Sequence, residues 1–152
     1  MDHDPAAEAA RILSDAWQTR RRIDDLPPAL KPTTWDEVYC IQHATIALQG
    51  PVGAWKVAPV DRGTGRICVP IPAPLVHESP ATVAARDFAP ELEVEVGIRI
   101  GRDLADTAAP YTPAQAADAI GSLHVAVEIA GSRFVDRKAV GQMTAVADLG
   151  MN

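Results

Sequence analysis

Residues Glu91 to Ile100 spell ELEVEVGIRI, the strongest secondary-structure signal in this chain. Every second residue from Leu92 onward is a branched aliphatic, and the residues between them are polar or glycine. Successive side chains of a β-strand point to opposite faces, so this period of two predicts one strand with an apolar face and an acidic face. We therefore expect a sheet built around residues 91–100.

The acidic face of this strand carries Glu91, Glu93 and Glu95. Neighbouring side chains on one face of a strand lie about 6.5–7 Å apart. Two carboxylates at this spacing can converge on one hard divalent cation, and they repel each other when nothing positive lies between them. A solvent-facing strand decorated with glutamates against aggregation has the same spacing. Spacing alone leaves both interpretations open.

A further carboxylate, Glu128, interrupts the apolar run Val125–Ala130. Burying a lone carboxylate is costly unless it is paired or bound to a metal, although a strand-edge position would let it face water. If Glu128 lies beside Glu93 and Glu95, three carboxylates form an oxygen site with room for waters and substrate. Such a donor set suits Mg²⁺ or Mn²⁺ better than zinc.

Lys56 is the one cation in the apolar segment Gly53–Val57, which is predicted to contain a short strand. A lysine in this position commonly extends its ammonium group to the surface. It can instead bind an anionic substrate or, with a lowered pKa, transfer a proton. Both interpretations remain open at this stage.

The residues before this strand predict helices. Asp4-Pro5 is typical of a helix start, and Thr34 with Glu37 forms a capping box at the start of a second helix. A second capping box begins a third helix, expected from Thr112 to Ile120. We expect one α+β domain over residues 1–152, with a helical part over 1–50 and a β-rich part over 51–152.

Composition narrows the classes of function. The chain has 152 residues, of which 47% are hydrophobic and 22% charged, and these values are typical of a globular domain. A net charge of −6 argues against nucleic acid or an anionic membrane as partner. No apolar run approaches the roughly 18 residues of a membrane span. The acidic N-terminus is unlike a signal peptide, and Cys40 and Cys68 form no zinc motif, so we expect a cytoplasmic protein.

Several segments together resemble the 2-keto-4-pentenoate hydratases of the fumarylacetoacetate hydrolase superfamily, to which 4-oxalocrotonate decarboxylases also belong. The strand glutamates followed by a later glutamate before Gly-Ser-Arg are the most specific part of this resemblance. The segments that carry it are Tyr39–Gln42, Trp55–Val57, Pro90–Ile98, Gly101–Leu104, Tyr111–Pro113, Ala126–Arg133 and Val146–Asp148.

The resemblance implies both a fold and a chemistry. The fold would be a mixed β-roll or barrel-like sheet with flanking helices. Glu93, Glu95 and Glu128 would hold Mg²⁺ or Mn²⁺, Lys56 would be the active-site lysine, and Glu91 would not be a ligand. The substrate would be a small 2-oxo acid of aromatic-compound catabolism, such as a 2-hydroxy-2,4-dienoate, to which water is added. Decarboxylation of an oxo-diacid and hydrolysis of an acylpyruvate are the alternative reactions, and a homo-oligomer is a possible assembly.

The chain also departs from the pattern of this family. Ala58 stands where many members have glycine, residues 69–74 offer no carboxylate, and no serine follows Ala147-Asp148. The chain stops at Asn152, where the family continues with further strands, so we expect an incomplete roll in a C-terminally truncated, partial domain. The alternative to an enzyme is therefore an inactive remnant or an assembly module.

Overall fold

The computed structural model describes residues 4–58, 67–83, 91–107 and 109–149. The chain divides into two compact units, each described by itself below. The first unit comprises Met1–Pro90 together with Ala130–Asn152, and the second unit comprises Glu91–Ile129. The described residues are a mixture of helices and strands, so the expected α+β class is confirmed. The expectation of one domain over residues 1–152 stays a prediction.

The first helix, α1, spans Pro5–Thr19 and begins where the sequence predicts. The Asp4 side chain accepts hydrogen bonds from the backbone N–H groups of Ala6 and Ala7, which satisfies donors that have no partner within the helix. Arg20 ends the helix in the left-handed conformation, with φ of 57°. The basic triplet Arg20–Arg22 predicts the last turn of a helix, where cations suit the helix dipole, but it lies beyond the last turn of α1.

Helix α2 spans Trp35–Gln49 and has the predicted capping box at its start. The Thr34 hydroxyl accepts from the backbone N–H of Glu37, and the Glu37 carboxylate accepts in return from the backbone N–H of Thr34. The helical spacing of Val38, Ile41, Thr45 and Leu48 predicts one buried face, and the first three of these residues are buried. The prediction that Leu48 belongs to the buried face is wrong, because its side chain is half exposed.

The core of the first unit lies where these two helices meet the C-terminal segment. Leu13 of α1, Val38 of α2, Phe134 and Leu149 are fully buried members of one hydrophobic cluster. A short helix, α4, spans Gln142–Ala147 and adds three further buried side chains to this cluster. Nothing in the sequence predicted α4, because no side-chain cap precedes it.

An antiparallel pair of strands completes the first unit. Strand β1 spans Val52–Val57 and strand β2 spans Cys68–Pro72. The pairing shifts between Val52 and Ala54, and at this irregularity a Cβ atom on Gly53 would lie 2.5 Å from the Cα atom of Ala73. Only glycine permits so close an approach of two backbones. The segment Asp61–Gly65, in which two glycines predict a turn, lies outside the described residues.

A buried ion pair joins two segments of the first unit. The Arg133 Nη1 donates to the Asp148 Oδ1 at 2.7 Å and to the Asp148 carbonyl oxygen at 2.8 Å. Both side chains are at most 1% exposed, and the Arg133 guanidinium lies 4.9 Å from the centroid of the Trp17 ring. Burial raises the pKa of Asp148 above its ordinary value, and the Arg133 charge acts against that rise.

The second unit contains the strand that alternation predicts over residues 91–100. Strand β3 spans Glu91–Ile100, as predicted, and pairs with strand β4, which spans Ile120–Ala130. Helix α3, Pro113–Asp118, begins at the predicted capping box. It ends before Ile120, which was expected in the helix and is instead the first residue of β4.

The sheets of the described residues are two separate antiparallel pairs, β1–β2 and β3–β4. The described residues form no roll or barrel, so this finer expectation stays a prediction. None of the helices in the described part of the chain is both long and apolar enough to cross a membrane.

Candidate metal centre

The structure brings together the carboxylates of Glu93, Glu95 and Glu128. One carboxylate oxygen from each lies within 4.8 Å of those of the other two. Glu93 and Glu95 come from β3, two residues apart, and Glu128 comes from β4. Glu93 is exposed, whereas Glu95 and Glu128 are half-buried. This cluster, which we call the glutamate triad, lies entirely within the second unit.

Strand alternation explains why these three side chains share a face. A Cβ atom on Gly97 would lie 3.5 Å from the Cβ of Ala126 and 3.7 Å from that of His124. The odd-numbered residues of β3 therefore face the same way as the even-numbered residues of β4. Glu93 and Glu95 belong to the first set and Glu128 to the second, so the pairing of two strands builds the triad.

Closely spaced carboxylates attract a cation. Three carboxylates whose oxygens lie within 4.8 Å of one another repel each other, by about 1 kcal/mol for each pair in a well-hydrated site. A divalent cation bound between them converts this repulsion into attraction. The geometry alone is also compatible with an exposed acidic strand, because surface glutamates are common on solvent-facing sheets.

The donor set fits a hard cation. All three candidate ligand atoms are carboxylate oxygens, which suit Mg²⁺ and Mn²⁺, whereas structural zinc sites favour sulfur and nitrogen donors. Mg²⁺ prefers six oxygens at about 2.1 Å, which places adjacent oxygens about 3 Å apart. To hold the ion, the triad would have to close from within 4.8 Å to that spacing, and three ligands would leave about three coordination positions for water or substrate.

Glu91 and Lys56 lie outside the triad. Glu91 shares the odd-numbered face of β3, but its carboxylate is not among the three that converge. Lys56 is a half-buried residue of β1, where it pairs with Val69, and it belongs to the first unit. Its role as an active-site lysine therefore stays a prediction.

Sequence reasoning missed one polar pair on the triad's face of β4. The Ser122 hydroxyl and the Nε2 atom of His124 lie 2.8 Å apart and share a hydrogen bond. The signal that could have found this pair is the Ser-x-His spacing, because residues two apart on a strand lie on one face. Ser122 is half-buried and His124 is exposed.

A comparison with protein-family models, with curated proteins and with solved structures found no match to this chain.

Proposed function

We propose that this chain is a Mg²⁺- or Mn²⁺-dependent lyase of the hydratase type, which adds water to a 2-hydroxy-2,4-dienoate or a similar 2-oxo acid. The observation that carries the proposal is the convergence of the three carboxylates of the glutamate triad. The resemblance to the 2-keto-4-pentenoate hydratases supplies the substrate class. The β-roll of that family belongs to the same proposal.

In this proposal, each protein group has a separate task. Glu93 and Glu95 hold the cation from β3, and Glu128 holds it from β4. The bound cation supplies Lewis-acid stabilisation of the negative charge that develops on the oxygen atoms of a 2-oxo acid. Lys56 binds the substrate carboxylate or moves a proton. Lys56 is half-buried as a residue, and partial burial strengthens the attraction of a cation to an anion.

Cation binding is tested first, by calorimetric titration with Mn²⁺ and by thermal unfolding. A cation that binds only the folded chain stabilises it by about 2.7 kcal/mol at a hundred times Kd. Glu93→Gln and Glu128→Gln should each remove most of this stabilisation. Glu91→Gln is the matched control and should keep it, because Glu91 is on the same strand face but outside the triad. No response to millimolar Mn²⁺ in the native chain would contradict the proposal.

Turnover is tested with the same variants. The purified chain with Mn²⁺ should consume 2-hydroxypenta-2,4-dienoate, which is measured as the loss of the diene absorbance. The triad variants should not consume it. Lys56→Ala should keep Mn²⁺ binding but lose affinity for a 2-oxo acid. Release of carbon dioxide from an oxo-diacid, or cleavage of an acylpyruvate, would assign one of the alternative reactions. Mn²⁺ binding with no turnover of any of the three substrates would overturn the lyase assignment.

A further inference from the structure

The face of the second unit opposite the triad is an uninterrupted aliphatic surface. Its side chains come from the even-numbered positions of β3 and the odd-numbered positions of β4, and all are exposed, by 43% to 84%. We call this surface the aliphatic face, and its residues are Leu92, Val94, Val96, Ile98, Ile100, Leu123, Val125, Val127 and Ile129.

This exposure reverses the usual arrangement of a two-faced sheet. Such a sheet normally buries its apolar side and turns its polar side to water. Here Glu95 and Glu128 on the polar side are half-buried, whereas Val94 and Val125 on the aliphatic face are 79% and 84% exposed. A sheet face of this kind gains stability only when another surface covers it.

The size of the face matches what a stable protein interface needs. Nine aliphatic side chains of about 120 Å² each, exposed by about two-thirds, present on the order of 700 Å². The largest apolar patch on an ordinary monomer is about 300–600 Å². A stable interface buries about 600–1,000 Å² on each partner, so the aliphatic face alone is sufficient for one.

We propose that the aliphatic face is the interface of a symmetric dimer, in which a second copy of this chain packs its own aliphatic face against it. The proposal does not depend on the metal centre or on the lyase activity. It places two sheets face to face, about 10 Å apart, with interdigitating rows of branched side chains.

Charge favours a second copy through this surface. The chain carries a net charge of −6, so two copies repel each other wherever charged surfaces meet. All nine side chains of the aliphatic face are uncharged, and the glutamates of β3 point to the other side. The same net charge disfavours an anionic lipid surface as the occupant.

The chemical composition of the aliphatic face also suits a contact with two-fold symmetry. In a symmetric dimer the same patch lies on both sides of the interface, so it must be complementary to itself. A row of valines, leucines and isoleucines meets this condition, because it needs no matching donors, acceptors or opposite charges. Such contacts are non-directional and scale with the apolar area that is buried.

The test is the mass of the full chain in solution, measured by sedimentation and light scattering from 1 to 200 μM. We expect a dimer of twice 16.2 kDa at the higher concentrations. Val125→Lys and Val94→Lys each place an ammonium group within the apolar interface, which should weaken dimerisation at least roughly 100-fold. Both side chains are exposed and belong to the second unit, so circular dichroism should still show the helices of the first unit.

Val76→Lys is the matched control, because this valine is 48% exposed but belongs to the first unit. It should dimerise like the native chain. The proposal is overturned by a native chain that stays a monomer at 200 μM, by open-ended assemblies larger than a dimer, or by dimers that persist in both aliphatic-face variants. Binding of the monomeric native chain to neutral vesicles would also overturn it. If one of the two aliphatic-face variants fails to fold, the other still tests the interface, because Val94 lies on β3 and Val125 lies on β4.

Discussion

The two units of this chain use the same kinds of residue in opposite ways. In the first unit, aliphatic side chains such as Leu13 and Val38 are completely buried among α1, α2 and the C-terminal segment. In the second unit, the aliphatic residues of β3 and β4 are exposed while two of the three triad glutamates are half-buried. A two-stranded sheet is at best marginally stable by itself. The difference indicates that the first unit is stabilised by its own core. Under our two proposals, the second unit is stabilised by the cation and the second copy that bind its two faces.

The largest effect expected in the first unit is loss of the buried ion pair. Arg133→Met leaves the Asp148 carboxylate buried without its cation, which should destabilise the chain by about 3–5 kcal/mol in urea unfolding. Adding Asp148→Leu to this variant should recover part of that loss, because the double variant has no buried charge. Lys31→Met is the control: its pair with Asp25 is partly exposed, and such pairs contribute about 0–1 kcal/mol. Equal losses for Arg133→Met and Lys31→Met would contradict the distinction.

A smaller effect is expected from truncating a buried leucine of the first unit and an exposed leucine of the second unit. Leu13→Ala removes a fully buried side chain of the first unit and should cost about 2–5 kcal/mol. Leu123→Ala makes the same truncation on the aliphatic face, where the leucine is 63% exposed. In dilute solution, where the chain is a single copy, it should change stability by no more than about 0.5 kcal/mol.

Equal losses in the free energy of unfolding for both leucine variants in dilute solution would contradict the difference between the two units. Measurements at higher concentration test the same difference further. The loss caused by Leu123→Ala should grow as the aliphatic faces of two copies meet, whereas the loss caused by Leu13→Ala should not change.

The sequence predicted the elements whose signals are local. The bounds of β3 were predicted by alternation, and the starts of α1, α2 and α3 by capping residues that act within four positions. Helix α4 was missed because Gly141 precedes it and offers no side-chain cap. The end of α3 was predicted too late, because pairing with β3 draws Ile120 into a strand.

The sequence predicted the glutamate triad only on the condition that Glu128 lies beside Glu93 and Glu95. Alternation along one strand places Glu93 and Glu95 on one face, but the position of Glu128 depends on how two strands separated by nineteen residues pair. No local signal determines that register. The Arg133–Asp148 pair, which joins residues fifteen positions apart, was missed for the same reason.

The smallest effect expected is a pH dependence at the start of α2. Hydrogen bonds from the backbone and hydroxyl of Thr33, together with those from Thr34, hold the pKa of Glu37 below its ordinary value. A lowered carboxyl pKa contributes stability above the ordinary value of 4.5, and this contribution is lost as the pH falls through the lowered pKa. Glu37→Gln should therefore lower Tm at pH 7, and the difference from the native chain should shrink on acidification. Asp36→Asn is the control, because Asp36 lies in the same first turn but outside the capping box. A Tm difference for Glu37→Gln that stays constant from pH 7 to pH 3 would show that the charge of Glu37 does not stabilise the start of α2.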